Sequence, residues 1–205
     1  KAWDKGGNIL RDILKKRVGK FEEVVGEAAF YGPKIDVQMR NINGKEDTAF
    51  TVQYDFCQPG RFNLKYTDAE GKEKEPIVIH RSSIGTMERT VAFLIEHFAG
   101  AFPLWLSPVQ AKILPIGEDH REYAGEILAV LKKRGFRVEM DSGNETLGKR
   151  IRQSKLEKIP YFAVIGDSEM SSKEIKVESR DKGDLGLMSA EDFADKLDEE
   201  IDSKK

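Results

Sequence analysis

Several short stretches carry side chains able to do chemistry together. Tyr31-Gly32-Pro33-Lys34 sets a phenol and an ammonium on either side of a Gly-Pro turn, at the mouth of a β-prone run. A lysine held there can meet a phosphate as a point charge, although the same residues also make an ordinary polar hairpin. Further on, Ile79-His80-Arg81-Ser82-Ser83-Ile84-Gly85-Thr86-Met87-Glu88-Arg89 reads as a strand running into a glycine-opened helix, with an imidazole on the strand and a guanidinium one turn into the helix. Helix N-termini attract anions, and an arginine there can bond a phosphate or lie against a base. His80 alone makes no metal site, since catalytic zinc normally takes three protein ligands and keeps one position open. Between these two stretches lies Thr51-Val52-Gln53-Tyr54-Asp55-Phe56. Its alternation puts Gln53 and Asp55 on one strand face and Val52, Tyr54 and Phe56 on the other, so the polar pair either orients a ligand or forms the wet side of a half-buried strand. Towards the C-terminus, Lys149, Arg150, Arg152, Lys155 and Lys158 outweigh Glu145 and Glu157 by +3, as in a phosphate-binding patch or a solvated surface.

The elements that must position these groups follow from periodicity. Ile9, Leu10, Ile13 and Leu14 predict an amphipathic helix ending near Gly19. Phe21 to Val25, Ile35 to Met39, Phe50 to Phe56, Phe62 to Tyr66 and Ile77 to His80 read as strands, mostly consecutive and antiparallel, separated by Gly, Pro, Asn and Asp. Met87, Val91, Leu94, Ile95 and Phe98 hold a helical period, which predicts a helix of about three turns opening at Gly85. Residues 100–110 contain two prolines, break both periodicities and form the expected domain junction. Beyond it, strands over Ala111 to Ile116, Phe136 to Met140 and Tyr161 to Ile165 alternate with helices over His120 to Arg134 and Leu147 to Lys158. That alternation implies βαβ units and a mainly parallel sheet covered by helices. Ile175 to Glu178 is read as a possible edge strand. Ser189 is placed to cap a last helix that buries Phe193, Leu197 and Ile201.

Composition bounds the function. With 205 residues, 39% hydrophobic and 34% charged, the chain has the length of two modest domains or one large one. No window is apolar enough for a membrane helix, and the first residues lack the apolar run of a secretory signal, so no membrane partner and a cytoplasmic location are expected. The single Cys57 rules out an internal disulfide and a cysteine-rich zinc site, leaving His80, His97 and His120 with carboxylates as candidate metal donors. A net charge of −2 argues against non-specific gripping of nucleic acid. From Ser189 to Lys205, seven acidic residues face three lysines, as on a solvated helix.

In this order, "AFYGPKID", "TVQYDF", "VIHRSSIGTMER" and "FPLWLSPVQ", followed by "NETLGKRIR", "KIPYFAVIGDSE" and "GDLG", resemble the threonyl-tRNA synthetases, class II ligases built on an antiparallel sheet. Related prolyl, glycyl and histidyl enzymes share the second domain without the "IHR" stretch. The resemblance implies part of a class II catalytic sheet with flanking helices over residues 1–106 and an α/β anticodon-binding domain with a mixed five-stranded sheet over 107–205. It further implies ATP-dependent activation of threonine to an adenylate and transfer to tRNA(Thr).

By the same resemblance, His80 is one of three ligands of a zinc ion that selects threonine, Arg89 lies against adenine near Thr86, Lys34 and Tyr31 face the adenylate and threonine, and Gln53 lines that pocket; magnesium comes with ATP. Asn144 and Glu169 match positions that read anticodon bases, with Lys149 and Arg152 on phosphates. Asp47-Thr48 departs from the family's Trp-Gln pair. An anticodon-contacting arginine would fall at about Glu178, with Arg180 two positions further on. The family's two other zinc ligands, its dimer-forming motif 1 and its phosphate-binding motif 2 are expected before residue 1. The chain is therefore read as a C-terminal fragment, inactive alone and binding little zinc. The alternative reading is a catalytically inactive RNA-binding or regulatory module.

Overall fold

In the computed structural model, which describes residues 1–141 and 143–204, the chain forms two units, Lys1–Phe93 and Leu94–Lys205. Lys205, counted in the acidic tail above, lies outside the described residues.

The first unit opens with α1 (Ala2–Arg17), which buries Leu10 and places Lys15, Lys16 and Arg17 in its last turn, where cations offset the helix dipole. It stops where Val18 and Gly19 both donate back to the Leu14 carbonyl, with Gly19 in the left-handed conformation that glycine adopts freely. The expected helix end is thus observed. The strand expected over Phe21 to Val25 is absent. No neighbouring strand pairs with it, Val24 and Val25 are exposed, and Glu23 is held instead by a two-pronged bond from Arg11 at 2.6 and 2.8 Å.

Strands β1 (Lys34–Arg40) and β2 (Glu46–Asp55) form a hairpin whose turn is organised by Asn41, its side-chain oxygen accepting from the N–H groups of Asn43 and Lys45. Next come α2 (Gln58–Arg61), a ribbon of β3 (Tyr66–Thr67) and β4 (Glu73–Lys74), then β5 (Val78–Ser82), which joins the hairpin in an antiparallel sheet of order β1-β2-β5. Of the strand expected over Phe62 to Tyr66 only Tyr66 is extended, in β3, because the N–H groups of Phe62, Asn63 and Leu64 donate back to the Gln58, Gly60 and Pro59 carbonyls at 3.0, 3.2 and 2.9 Å and wind the chain out of α2. Helix α3 (Met87–His97) follows at the expected place.

The second unit is built on β6 (Ala111–Pro115), β7 (Val138–Met140), β8 (Tyr161–Ile165), β9 (Ile175–Ser179) and β10 (Gly183–Met188), in the order β10-β9-β8-β6-β7. β6 runs parallel to both of its neighbours, while β9 and β10 are antiparallel additions. β9, expected at the edge, is therefore interior and β10 is the edge strand. A short 3-10 turn, Glu118–His120, leads into α4 (Arg121–Lys133); α5 (Leu147–Leu156), α6 (Asp167–Ser172) and α7 (Ala190–Ser203) complete the unit. Ala111, Ile113, Ala163, Ile165 and Val177 pack with Ile127 and Leu131 of α4 and with Phe193 and Leu197 of α7. The alternate residues turn to the other face, where Lys112 reaches Glu157 beyond α5 at 2.7 Å. Ser189 caps α7 as expected, accepting from the Asp192 N–H at 3.0 Å. No helix among the described residues is long and apolar enough to cross a membrane.

Candidate functional site

In the first unit the pairing register settles which groups meet. Lys34 of β1 lies opposite Gln53 of β2, and Gln53 lies opposite His80 of β5. Directly opposed residues share a face, so three strands contribute an ammonium, an amide and an imidazole to one rung. The Gly-Pro turn extends this pairing backwards: the Tyr54 N–H donates to the Pro33 carbonyl at 2.9 Å and the Phe56 N–H to the Tyr31 carbonyl at 3.2 Å. A side chain on Gly32 would put Cβ 1.8 Å from the Tyr54 carbonyl oxygen, so glycine is required by close approach of the two backbones. Tyr31 is thereby brought over the rung, its hydroxyl donating to Gln53 Oε1 and its ring centroid 5.3 Å from that of His80. Lys34 forms an ion pair with Asp36.

Beneath His80 lies Asp55, on the same face as Gln53 and wholly buried. Its Oδ1 accepts from the N–H groups of Cys57 and Gln58, both at 2.9 Å, and its Oδ2 lies 2.8 Å from His80 Nε2. Burial pushes this carboxyl upward, but the His80 hydrogen bond and the two N–H groups outweigh it and hold the group below the ordinary aspartate value. Alternation placed Asp55 on the Gln53 face; nothing in the local sequence signalled its burial.

Thr86 and Arg89 stand together at the start of α3. Thr86 Oγ1 accepts from the Arg89 N–H at 3.2 Å, which caps α3, and Arg89 Nη1 donates to the Thr48 carbonyl at 3.2 Å. Gly85 is needed for this arrangement, being left-handed and facing the Ala49 carbonyl so closely that a Cβ would lie 2.8 Å from it. Arg89 thus reaches β2 at Thr48.

In the second unit, the segments that follow parallel strands β6, β7 and β8 emerge at one rim of the sheet, where open α/β sheets place their ligands. Asn144 follows β7, and it lines a cavity of about 190 Å³ with Pro115, Ile116, Gly117, Asp141 and Arg150. Glu169 follows β8, and one of its oxygens accepts from the Gly166 N–H at 2.9 Å to cap α6. The basic cluster is mostly engaged. Buried Arg150 turns inward to the Pro115 carbonyl at 2.7 Å and the Asp141 carbonyl at 3.2 Å. Lys149 pairs with Glu145 at 2.7 Å, Lys155 with Glu178 at 2.6 Å, and Lys158 with the Ala99 carbonyl. Arg152 is exposed on α5. Arg180 donates to the carbonyls of Phe102 and Lys158 at 3.0 and 2.9 Å, so it is a structural clamp, and Glu178 keeps its carboxylate for Lys155.

Two family profiles match the chain: the tRNA synthetase class II core domain (G, H, P, S and T) over residues 3–98 and the anticodon binding domain over residues 110–200. Among curated proteins, a threonine–tRNA ligase of Clostridium perfringens (strain 13 / Type A) is 47% identical over 204 residues, covering 100% of this chain and 32% of the relative. One of Geobacillus kaustophilus (strain HTA426) is 44% identical, covering 99% of this chain and 31% of the relative. The chain thus spans about a third of the length of the curated relatives it matches. A crystal structure of the RNA binding domain of threonyl-tRNA synthetase from Cryptosporidium parvum Iowa II superposes with a TM-score of 0.87 at 36% identity, covering 97% of this chain and 50% of that one.

Proposed function

Because this chain belongs to the threonyl-tRNA synthetase family, we propose that the protein carrying it joins threonine to tRNA(Thr) through a threonyl-adenylate made from ATP. The observation that carries this reading is the rung of Lys34, Gln53 and His80 with Tyr31 bonded to Gln53.

Adenylate formation is an in-line attack of a carboxylate on the α-phosphate, which needs alignment and fixed positive charge and no protein nucleophile. Lys34 supplies that charge by exchanging Asp36 for the phosphate, while Tyr31 and Gln53 orient threonine and the adenylate. Arg89, on the helix that Thr86 caps, lies against the adenine; magnesium accompanies the ATP. Among the described residues no three His, Cys, Asp or Glu side chains cluster as a metal site, so a zinc ion would share His80 with ligands from beyond this chain. Bound there, zinc would select threonine through its amino and hydroxyl groups, because valine has the amino group but no hydroxyl to offer the metal. At the rim of the second unit, Asn144 and Glu169 read anticodon bases while Lys149 and Arg152 hold phosphates. The full-length enzyme works as a homodimer.

ATP–pyrophosphate exchange by the product of the whole reading frame tests the catalytic part. Lys34→Ala is expected to lower exchange by about 10²–10³-fold, the usual loss for one group that stabilises transition-state charge. Equal rates in wild type and variant would remove Lys34 from the mechanism. No exchange in either, with an anticodon stem-loop still bound, would favour the RNA-binding module.

A further inference from the structure

Asp55 is a wholly buried carboxylate to which the reading above gives no task. A charge in such a place is costly unless every lone pair facing the protein has a donor. Oδ1 has two, the N–H groups of Cys57 and Gln58, and these backbone groups can only donate. Among the described residues Oδ2 faces one hydrogen-bonding group, Nε2 of His80, at 2.8 Å. An ionised carboxylate only accepts hydrogen bonds, so Nε2 must carry the hydrogen. In the neutral imidazole the lone pair then resides on Nδ1. The sheet fixes this relation: Asp55 is paired with Val78 and Gln53 with His80 on adjacent strands, so carboxylate and imidazole are diagonal neighbours on one face. The Tyr31 ring, 5.3 Å from the imidazole, packs beside it and restricts its rotation.

From this juxtaposition we propose that Asp55 is a positioning residue that locks His80 as the Nε2–H tautomer and presents Nδ1 as its donor atom to a metal ion. The inference rests on the reading of His80 as a zinc ligand. A carboxylate behind a ligating histidine fixes the ring's orientation and raises its basicity, and here the carboxylate is itself anchored by two main-chain donors of the turn after β2.

The tautomer is read directly from two-bond ¹⁵N–¹H correlations of the ¹⁵N-labelled chain, with the His80 signals assigned by their loss in His80→Ala. Wild type is expected to show hydrogen on Nε2. In Asp55→Asn the two N–H groups hold the amide oxygen in the Oδ1 position, which places the amide nitrogen, a donor, against Nε2. The hydrogen is then expected to move to Nδ1, and zinc affinity of the whole-frame product to fall about 10- to 100-fold. A residue that merely filled space would lower stability in this variant without reversing the tautomer. Neutral wild-type His80 protonated on Nδ1 would overturn the proposal without recourse to any variant, as would Asp55→Asn with an unchanged tautomer and zinc affinity. A whole-frame product that takes up no zinc, with the tautomers as expected, would instead remove the metal reading of His80, so the two failures are told apart.

Discussion

Arg150 and Arg152 are two positions apart on α5, yet the helix sends them to opposite tasks. Arg150 is buried and donates to carbonyls at the ends of β6 and β7, so it fixes the strand ends from which the rim segments leave. Arg152 is exposed. Replacing Arg152 by alanine is expected to weaken binding of an anticodon stem-loop and reduce the salt dependence of that binding by about one unit of slope, with stability unchanged. Arg150→Ala leaves buried carbonyls without a donor and is expected to destabilise the second unit by roughly 2–4 kcal/mol. Binding measured against salt, beside denaturant melts of both variants, checks the division; a reversed pair of phenotypes would refute it. Sequence placed both arginines in one basic cluster because charge counting has no direction. The helical phase held the missing signal, since Arg150 and the buried Ser154 are four apart and face the sheet together.

At the scale of elements, the rung of Lys34, Gln53 and His80 depends on the passage from the Gly-Pro turn into β1. Gly32→Ala drives Cβ into the Tyr54 carbonyl oxygen and must part the backbones that carry Tyr31 and Gln53. The expected cost is about 1–3 kcal/mol, with loss of amide exchange protection at Tyr54 and Phe56, whose N–H groups pair across this passage; hydrogen exchange that leaves both amides protected would contradict it. Elements with an unbroken period were legible from sequence, and α1, α3, α4, β6, β8 and the Ser189 cap fell where periodicity put them. The errors share a cause. Phe21 to Val25 and Phe62 to Tyr66 have strand-like composition, but a strand exists only where a neighbour pairs with it, and that is a tertiary fact. β10 was missed because Gly183 and Gly186 interrupt its apolar pattern; both are left-handed, and the second accompanies a bulge against β9. In the candidate site, Lys34, Gln53 and His80 were each singled out by residue type, whereas their shared rung and the carboxylate below it depended on register.

Across the whole chain, burial is distributed unequally. The second unit encloses a continuous apolar cluster from α4, α7 and four of its strands. In the first, Leu10 and Ala49 are the buried hydrophobic residues among those described, while Trp3, Phe30, Phe62, Ile79 and Val91 are exposed. Denaturant is therefore expected to unfold the first unit at lower concentration, because apolar burial is the main favourable contribution to folding. Trp3 and Trp105 report on the two units separately when each is replaced in turn by phenylalanine; coincident transitions would refute the order. Acid should act on the second unit through Glu157, Asp181 and Asp184, all held below their ordinary values, respectively by Lys112, by Arg180, and by the Gly186 N–H with Lys176. A carboxylate depressed in the folded state stabilises it above its unfolded value, about 4, and that contribution disappears as pH falls through the lower folded value. The later transition should accordingly move to lower denaturant as the pH falls below about 4.

Lys34, Gln53 and His80 come from three strands joined by main-chain ladders, and a ladder has no fractional settings. Sliding one strand by a single residue turns its side chains to the opposite face, and sliding it by two carries them about 7 Å along. The three groups cannot drift apart by small degrees. Changes in the hairpin that holds them should behave as a latch, leaving the constellation whole in some molecules and missing in the rest, so that a weakened variant loses active molecules while each survivor works at full speed.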